Sequence, residues 1–198
     1  MTKKNKSYIN KGEVIEVSNN KNLTKSSGSV KRELPNYWDK EYIENKMFKI
    51  SNQKHKILFQ FLWMTGCRIS EALNVQKKDL DFKNYIIRLK WLKSRKYKYR
   101  NIPMHPKLRD ILMLYTANMN KESVLFDISR QWAWKLSQKH FGGNPHMFRH
   151  SFAVHWLRSN ADIITLHRIL GHSKFQTTRE YLKIVPVDQG KELQKIDF

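Results

Sequence analysis

A handful of residues in this 198-residue chain could do chemistry, and each sits beside a structural break. Arg68 and Glu71 lie in the segment TGCRISE, residues 65–71. His146 and Arg149 lie in HMFRH, residues 146–150. His172 follows Leu170 and Gly171, and Tyr181 comes nine residues later, within TTREY. Between these segments, residues 90–100 (KWLKSRKYKYR) interleave Lys90, Lys93, Arg95, Lys96, Lys98 and Arg100 with Trp91, Tyr97 and Tyr99. A guanidinium is permanently charged, and its planar fork matches two oxygens of a phosphate. An imidazole moves protons near neutrality, and a phenol can act as a covalent nucleophile.

Taken singly, each residue has a plainer reading. Arg68 can pair with Glu71 one turn on, and Tyr181 can be a half-buried packing residue. The spacing of His146 and Arg149 is also that of an ordinary polar helix face, opposite an apolar one of Phe148, Phe152 and Trp156. The pairs His146/His150 and His150/His155 have metal-ligand spacing. With one cysteine in the chain and no HExxH-type carboxylate between the histidines, the expectation is no metal.

The composition points to a polyanionic partner. Lys and Arg number 38 against 17 Asp and Glu, a formal charge of +21. Residues 1–34 hold 8 basic and 3 acidic side chains, so most of the excess lies in the remainder. The basic, aromatic-studded cluster at 90–100 suits a phosphate backbone and salt-dependent binding, equally for DNA and RNA. Hydrophobic residues at 40% and aromatics at 12% are enough for a core. The single Cys67 excludes an internal disulfide framework and a Cys-based zinc site. The longest apolar run, residues 57–64, is far short of a membrane span, and no apolar stretch follows the charged N-terminus. The expectation is a cytoplasmic protein, nucleoid-associated when bound to DNA, with no membrane partner.

The elements that must position these residues are mainly helical. Residues 1–33, rich in Lys, Asn and Ser, read as a flexible basic arm. Helices are expected over 42–48, 55–64 (ending at Gly66), 69–75, 106–119, 129–141, 146–159, 162–170 and 175–183. β-branched and aromatic runs at 85–92 and 97–104 read as an antiparallel hairpin with the cations at its tip. The fold class is thus mainly α with a small antiparallel β-hairpin or sheet (α+β). Residues 34–185 form the expected folded domain and 186–198 a separate tail.

The order of these segments resembles the tyrosine recombinase (phage integrase) family: TGxRxSE, a basic hairpin, HxxRH, LGH, then a tyrosine nine residues on. PHMFRHSFAVHWL and LGHSKFQTTREYL are the densest matches. The resemblance implies that residues 34–185 are a catalytic domain with the DNA breaking–rejoining fold. It also implies site-specific recombination through a 3′-phosphotyrosine intermediate, without metal or other cofactor. Tyr181 is the implied nucleophile, and Arg68 and Arg149 the phosphate-binding arginines. His146 is the implied acid/base partner of the tyrosine's proton, and His172 a donor to a non-bridging oxygen. Glu71 is the implied buttress. A hairpin lysine, Lys93 or secondarily Lys96, is the implied acid for the leaving 5′-oxygen. Lys90, Arg95, Lys96, Lys98 and Arg100 are expected DNA contacts. The implied partner is double-stranded DNA with paired target sites, bound by a homo-oligomer that is a tetramer on DNA and a monomer when free. About 34 residues precede the catalytic region, where many relatives carry an N-terminal clamp of about 100 residues. The chain thus looks like the minimal single-domain recombinases, or like a remnant of a longer enzyme. An accessory DNA-binding protein, or docking of Leu193, Ile196 and Phe198 on a neighbouring protomer, are the expected compensations. A DNA-binding regulator without strand exchange and a type IB topoisomerase are the alternatives.

Overall fold

The core is built around one nearly apolar helix, α2 (Gln53–Thr65), which buries Ile57, Leu58, Phe59, Phe61 and Leu62. Asn52 caps its start by accepting from the His55 amide at 3.1 Å, and Gly66 ends it in the left-handed region at φ 61°. The computed structural model describes residues 35–91 and 98–185, with the backbone alone for Trp91 and Lys98, all within one unit. The expected arm at 1–33, the candidates Lys93, Arg95 and Lys96, and the tail with Leu193, Ile196 and Phe198 lie outside the described residues.

Helix α1 (Lys40–Phe48) leads into α2, and α3 (Ile69–Ala72) follows the Gly66 turn. Three antiparallel strands come next, in sheet order β1 (Leu80–Asp81), β2 (Ile86–Trp91), β3 (Lys98–Pro103). The two longer strands are the expected hairpin, and β1 is an addition too short to show a period. Register pairs Ile87 with Ile102 and Leu89 with Arg100. Since strand side chains alternate faces, Ile87, Leu89, Arg100 and Ile102 share the inner side.

Five helices complete the unit: α4 (Pro106–Thr116), α5 (Arg130–Phe141), α6 (His146–Arg158), α7 (Ile163–Leu170) and α8 (Phe175–Arg179). Helices α2, α5 and α6 meet in an aromatic cluster. Phe148 lies 5.3 Å from Phe59, 4.8 Å from Phe141 and 5.1 Å from Trp38 between ring centroids. Burying each such ring stabilises the fold by about 1.5–3 kcal/mol. A second, smaller apolar cluster gathers Ala153, Val154 and Leu157 of α6, Leu166 and Leu170 of α7, and Tyr181 and Val185. That cluster seats the C-terminal part of the described chain.

The expected helix 175–183 is not continuous. It ends as α8 at Arg179 and tightens into a 3₁₀ turn, Glu180–Lys183, which carries Tyr181. No helix among the described residues is long and apolar enough to cross a membrane.

Candidate active site

The site is assembled where α2, α6 and α7 end or begin and where β3 passes beneath them. Its foundation is Glu71, 2% exposed, in the only turn of α3. The carboxylate accepts from the Arg68 backbone N–H at 2.8 Å and from the Arg68 guanidinium at 3.2 Å. On its other side it takes both arms of Arg100, at 2.7 and 3.0 Å. Burial alone would raise the Glu71 pKa, but Arg100 and Arg68 hold it below the usual carboxylate value. The acidic residue therefore ties two arginines together, Arg68 and Arg100.

Arg100 differs from the expectation of a DNA contact. Its Nε donates to the Ile169 carbonyl at 3.2 Å while the fork grips Glu71, and the side chain is 10% exposed. These bonds lock β3 to α3 and α7 and occupy the guanidinium with Glu71 and the Ile169 carbonyl. Lys90, on the outer face of β2 with Arg88, remains a candidate DNA contact.

Arg149, in the first turn of α6, is fully buried. It donates to Gly66 O at 2.9 Å and to Leu170 O at 2.6 Å, the carbonyls at the C-terminal ends of α2 and α7. Both helices present partial negative charge there, which suits a cation. Among the described residues its Nε has no partner and no carboxylate bonds the guanidinium directly. Desolvation and Arg68 lower its pKa to about 10, so it stays charged at neutral pH. A buried cation without a counter-ion of its own is a standing site for an anion.

Gly66 and Gly171 frame this arrangement. Both hold left-handed backbone, at φ 61° and 62°. A Cβ on Gly66 would run into the Phe152 ring, and one on Gly171 would sit 3.1 Å from the Arg100 guanidinium. The glycines of the two expected segments thus let the chain turn tightly enough to bring Arg68 and His172 to one place.

His172 follows the Gly171 turn and makes a 2.9 Å hydrogen bond between its Nδ1 and the fully buried Thr178 hydroxyl. His167 Nδ1 meets the same oxygen at 3.0 Å. Desolvation first, then Arg149 and Arg68, push the His172 pKa down to about 3. His146 stands exposed at the rim, yet desolvation, Arg149 and Arg68 lower its pKa to about 4. Tyr181 is 2% exposed, and burial pushes its pKa up to about 12 against the pull of the same two arginines. The dependence of His146, His172 and Tyr181 on both Arg68 and Arg149 places all five groups in one electrostatic neighbourhood.

Sequence reasoning missed His150. Its Nδ1 lies 2.7 Å from the Tyr181 hydroxyl, whereas His146 packs edge-on against the His150 ring at 4.6 Å. The available signal was helical spacing: His146 and His150 are one turn apart, so both face the same side as Arg149. Thr178 and His167 were missed as well, because a hydroxyl shared across two helices leaves no mark in local spacing.

A mostly helical unit with a three-stranded antiparallel sheet is the architecture of tyrosine recombinase catalytic domains. The chain superposes on that of bacteriophage HP1 integrase with a TM-score of 0.64 at 22% identity, covering 80% of this chain and 93% of that one. It also superposes on the XerH site-specific recombinase bound to its difH substrate, with a TM-score of 0.65 at 21% identity, covering 84% and 55%. Residues 40–186 match the Phage integrase family, and the chain belongs to it. In sequence it is 29% identical over 183 residues to tyrosine recombinase XerA of Thermococcus onnurineus, covering 84% of this chain and 64% of the relative. It is 26% identical over 182 residues to a tyrosine recombinase of Pseudothermotoga lettingae, covering 84% and 63%. The chain thus spans less than two thirds of the length of these curated relatives.

Proposed function

We propose that this chain catalyses site-specific DNA recombination, cutting and rejoining strands through a 3′-phosphotyrosyl link. The observation that carries this reading is the buried Arg149 guanidinium, with no carboxylate of its own, beside Arg68, His172 and Tyr181. Tyr181 Oη would attack a backbone phosphorus, forming the O–P bond as the bond to the 5′-oxygen breaks. Arg68 and Arg149 would neutralise the charge that builds on the non-bridging oxygens, and His172 would donate to one of them from Nε2. Removing one such preorganised donor typically slows a reaction by about 10²–10³-fold. Lys93, with Lys96 as second candidate, is proposed to protonate the departing 5′-oxygen. Lys90, Arg95, Lys96 and Lys98 are the proposed duplex contacts, acting through charge and counterion release. The ester link conserves the energy of the broken bond, so a second strand's 5′-hydroxyl can displace the tyrosine and reseal the backbone.

Strand exchange between two duplexes needs several active protomers, so the proposed working form is a tetramer on paired sites, monomeric when free. Docking of residues 186–198 on a neighbouring protomer and help from an accessory DNA-binding protein belong to the same proposal, as does action at the nucleoid in the cytoplasm.

A nicked suicide duplex tests the chemistry. The wild-type protein is expected to form a covalent adduct, and Tyr181→Phe to bind the same duplex without forming one. An adduct retained by the Phe variant would assign the nucleophile elsewhere. Salt-sensitive binding with no adduct on any candidate site would make the chain a DNA-binding protein, and relaxation of supercoiled plasmid without sequence requirement would make it a topoisomerase.

A further inference from the structure

A phenol attacking phosphorus must lose its proton, and its burial here makes that loss harder than in water. The group that takes the proton has to touch the hydroxyl. Among the described residues that partner is His150, with its Nδ1 at 2.7 Å. His146, the histidine expected for this task, is one turn earlier on α6 at the exposed rim, its ring against His150.

The surroundings suit His150 to accept. Desolvation first, then His146 and Arg149, lower its pKa to about 3, which keeps the imidazole neutral and a weak base in the free protein. An anionic phosphate bound at Arg149 offsets that cation and raises the basicity of the nitrogen in contact with the hydroxyl. The Tyr181 ring is packed in the apolar cluster of Val154, Leu157, Leu166 and Leu170, which seats its hydroxyl against His150. The hydroxyl is therefore presented to one nitrogen in a fixed direction, as a general base requires.

We propose that His150 is a catalytic residue of this chain: its Nδ1 takes the Tyr181 proton as the tyrosine attacks DNA phosphorus, and returns it when the tyrosine leaves. In cleavage the phenolic O–H bond breaks, the proton goes to Nδ1, the Tyr181 O–P bond forms, and the electron pair of the broken P–O bond departs on the 5′-oxygen. In rejoining, the incoming 5′-hydroxyl gives its proton to the hairpin lysine proposed above, its oxygen forms the P–O bond as the bond to the phenolic oxygen breaks, and that oxygen recovers the proton from His150. His146 is left free at the rim to meet the phosphate. This inference rests on the recombinase reading.

The test measures single-turnover adduct formation on the suicide duplex, with an ordinary scissile phosphate and with a 5′-bridging sulfur at the same position. The sulfur leaving group needs no protonation, so it restores variants that lack the acid and not those that lack the base. His150→Asn keeps a polar atom near the Nδ1 position but cannot take a proton. It is expected to bind the duplex like wild type and to form adduct about 10²–10⁴-fold more slowly, with no restoration by sulfur. His150→Ala, if it binds DNA, is expected to regain adduct when imidazole is added, while His150→Asn is not. His146→Asn is expected to lose less than His150→Asn. A wild-type rate in His150→Asn, restoration by sulfur, or faster cleavage in His150→Ala would overturn the proposal, the last by showing that the contact restrains the tyrosine. Failure of the wild-type protein to form any Tyr181-dependent adduct would remove the recombinase reading itself, and this inference with it.

Discussion

Glu71 shows how much of the site is held by residues that would never touch a substrate. It is the shared counter-ion of Arg68 and Arg100, and its removal would leave a nearly buried guanidinium on β3 uncompensated. Breaking one partner of such a pair typically destabilises a fold by about 3–5 kcal/mol. Glu71→Gln is therefore expected to lower the unfolding free energy by about 3 kcal/mol, read as a lower urea midpoint, since the amide retains some hydrogen bonding. A midpoint unchanged from wild type in urea titration would contradict the buttress role. Arg100 itself was legible in principle. Ile102 is inward and Tyr99 outward, so strand parity turns Arg100 inward too. The one-dimensional density of cations hid that parity and suggested a uniform basic surface. Arg68 and Arg149, by contrast, were readable because each lies beside a glycine turn or on a helix face with His146.

At the scale of elements, α7 and α8 are joined through one hydroxyl. Thr178 has a single hydroxyl hydrogen, and His167 Nδ1 and His172 Nδ1 both approach its oxygen. At most one ring can accept that hydrogen, so whenever one accepts from Thr178 the other must donate to its oxygen. If His172 is to donate from Nε2 to a phosphate, its Nδ1 is the acceptor, and His167 donates. This chain of bonds fixes the tautomer of His172 through Thr178, six positions on in α8, and His167, five positions back in α7. Thr178→Val is expected to slow adduct formation about tenfold, the equivalent of a lost hydrogen bond of about 1.4 kcal/mol, and Thr178→Ser to restore it. Equal rates in the Val and Ser variants would show that the hydroxyl only fills space. Helix order and approximate bounds were legible from period and caps: Asn52, Ser129 and Asp162 each cap the start of a helix. The break between α8 and the Tyr181 turn was not. Residues 175–183 read as one amphipathic run, and only packing of Tyr181 into the second apolar cluster selects the tighter 3₁₀ geometry.

Across the whole molecule, the fold keeps the histidines of the site neutral beside a buried arginine that stays charged. His150 and His172 both have pKa values near 3, lowered mainly by desolvation, with Arg149 a further cause for each. A histidine whose folded pKa is depressed binds fewer protons than it does in the unfolded chain, where it titrates near 6.5. Its stabilising contribution is present above pH 6.5 and is lost as pH falls toward the folded value. Glu71, also lowered, adds a loss of the same sign below the ordinary carboxylate range. The melting temperature is expected to fall steadily from pH 7 to pH 4.5, and a duplex bearing the target phosphate to recover part of the loss. A flat profile in a His150→Asn/His172→Asn double variant would assign the acid sensitivity to these rings; an unchanged profile would place it elsewhere. The family pattern in the sequence pointed to five of the site's groups, and the fold gathers them as a sequence of breaks and turns implied. The contacts that join them across elements are long-range, between residues 21 to 83 positions apart for Arg149 alone, and no local pattern encodes such distances.

The central claim is that Tyr181 is the group joined to DNA at that gathered site. It is tested most directly by proteolysing the trapped adduct and identifying the modified residue and the DNA end by mass spectrometry. The expected product is a peptide in which Tyr181 carries a 3′-phosphonucleotide, with a free 5′-hydroxyl on the released strand. A nucleotide on any other residue, or a 5′-phosphate link, would contradict it.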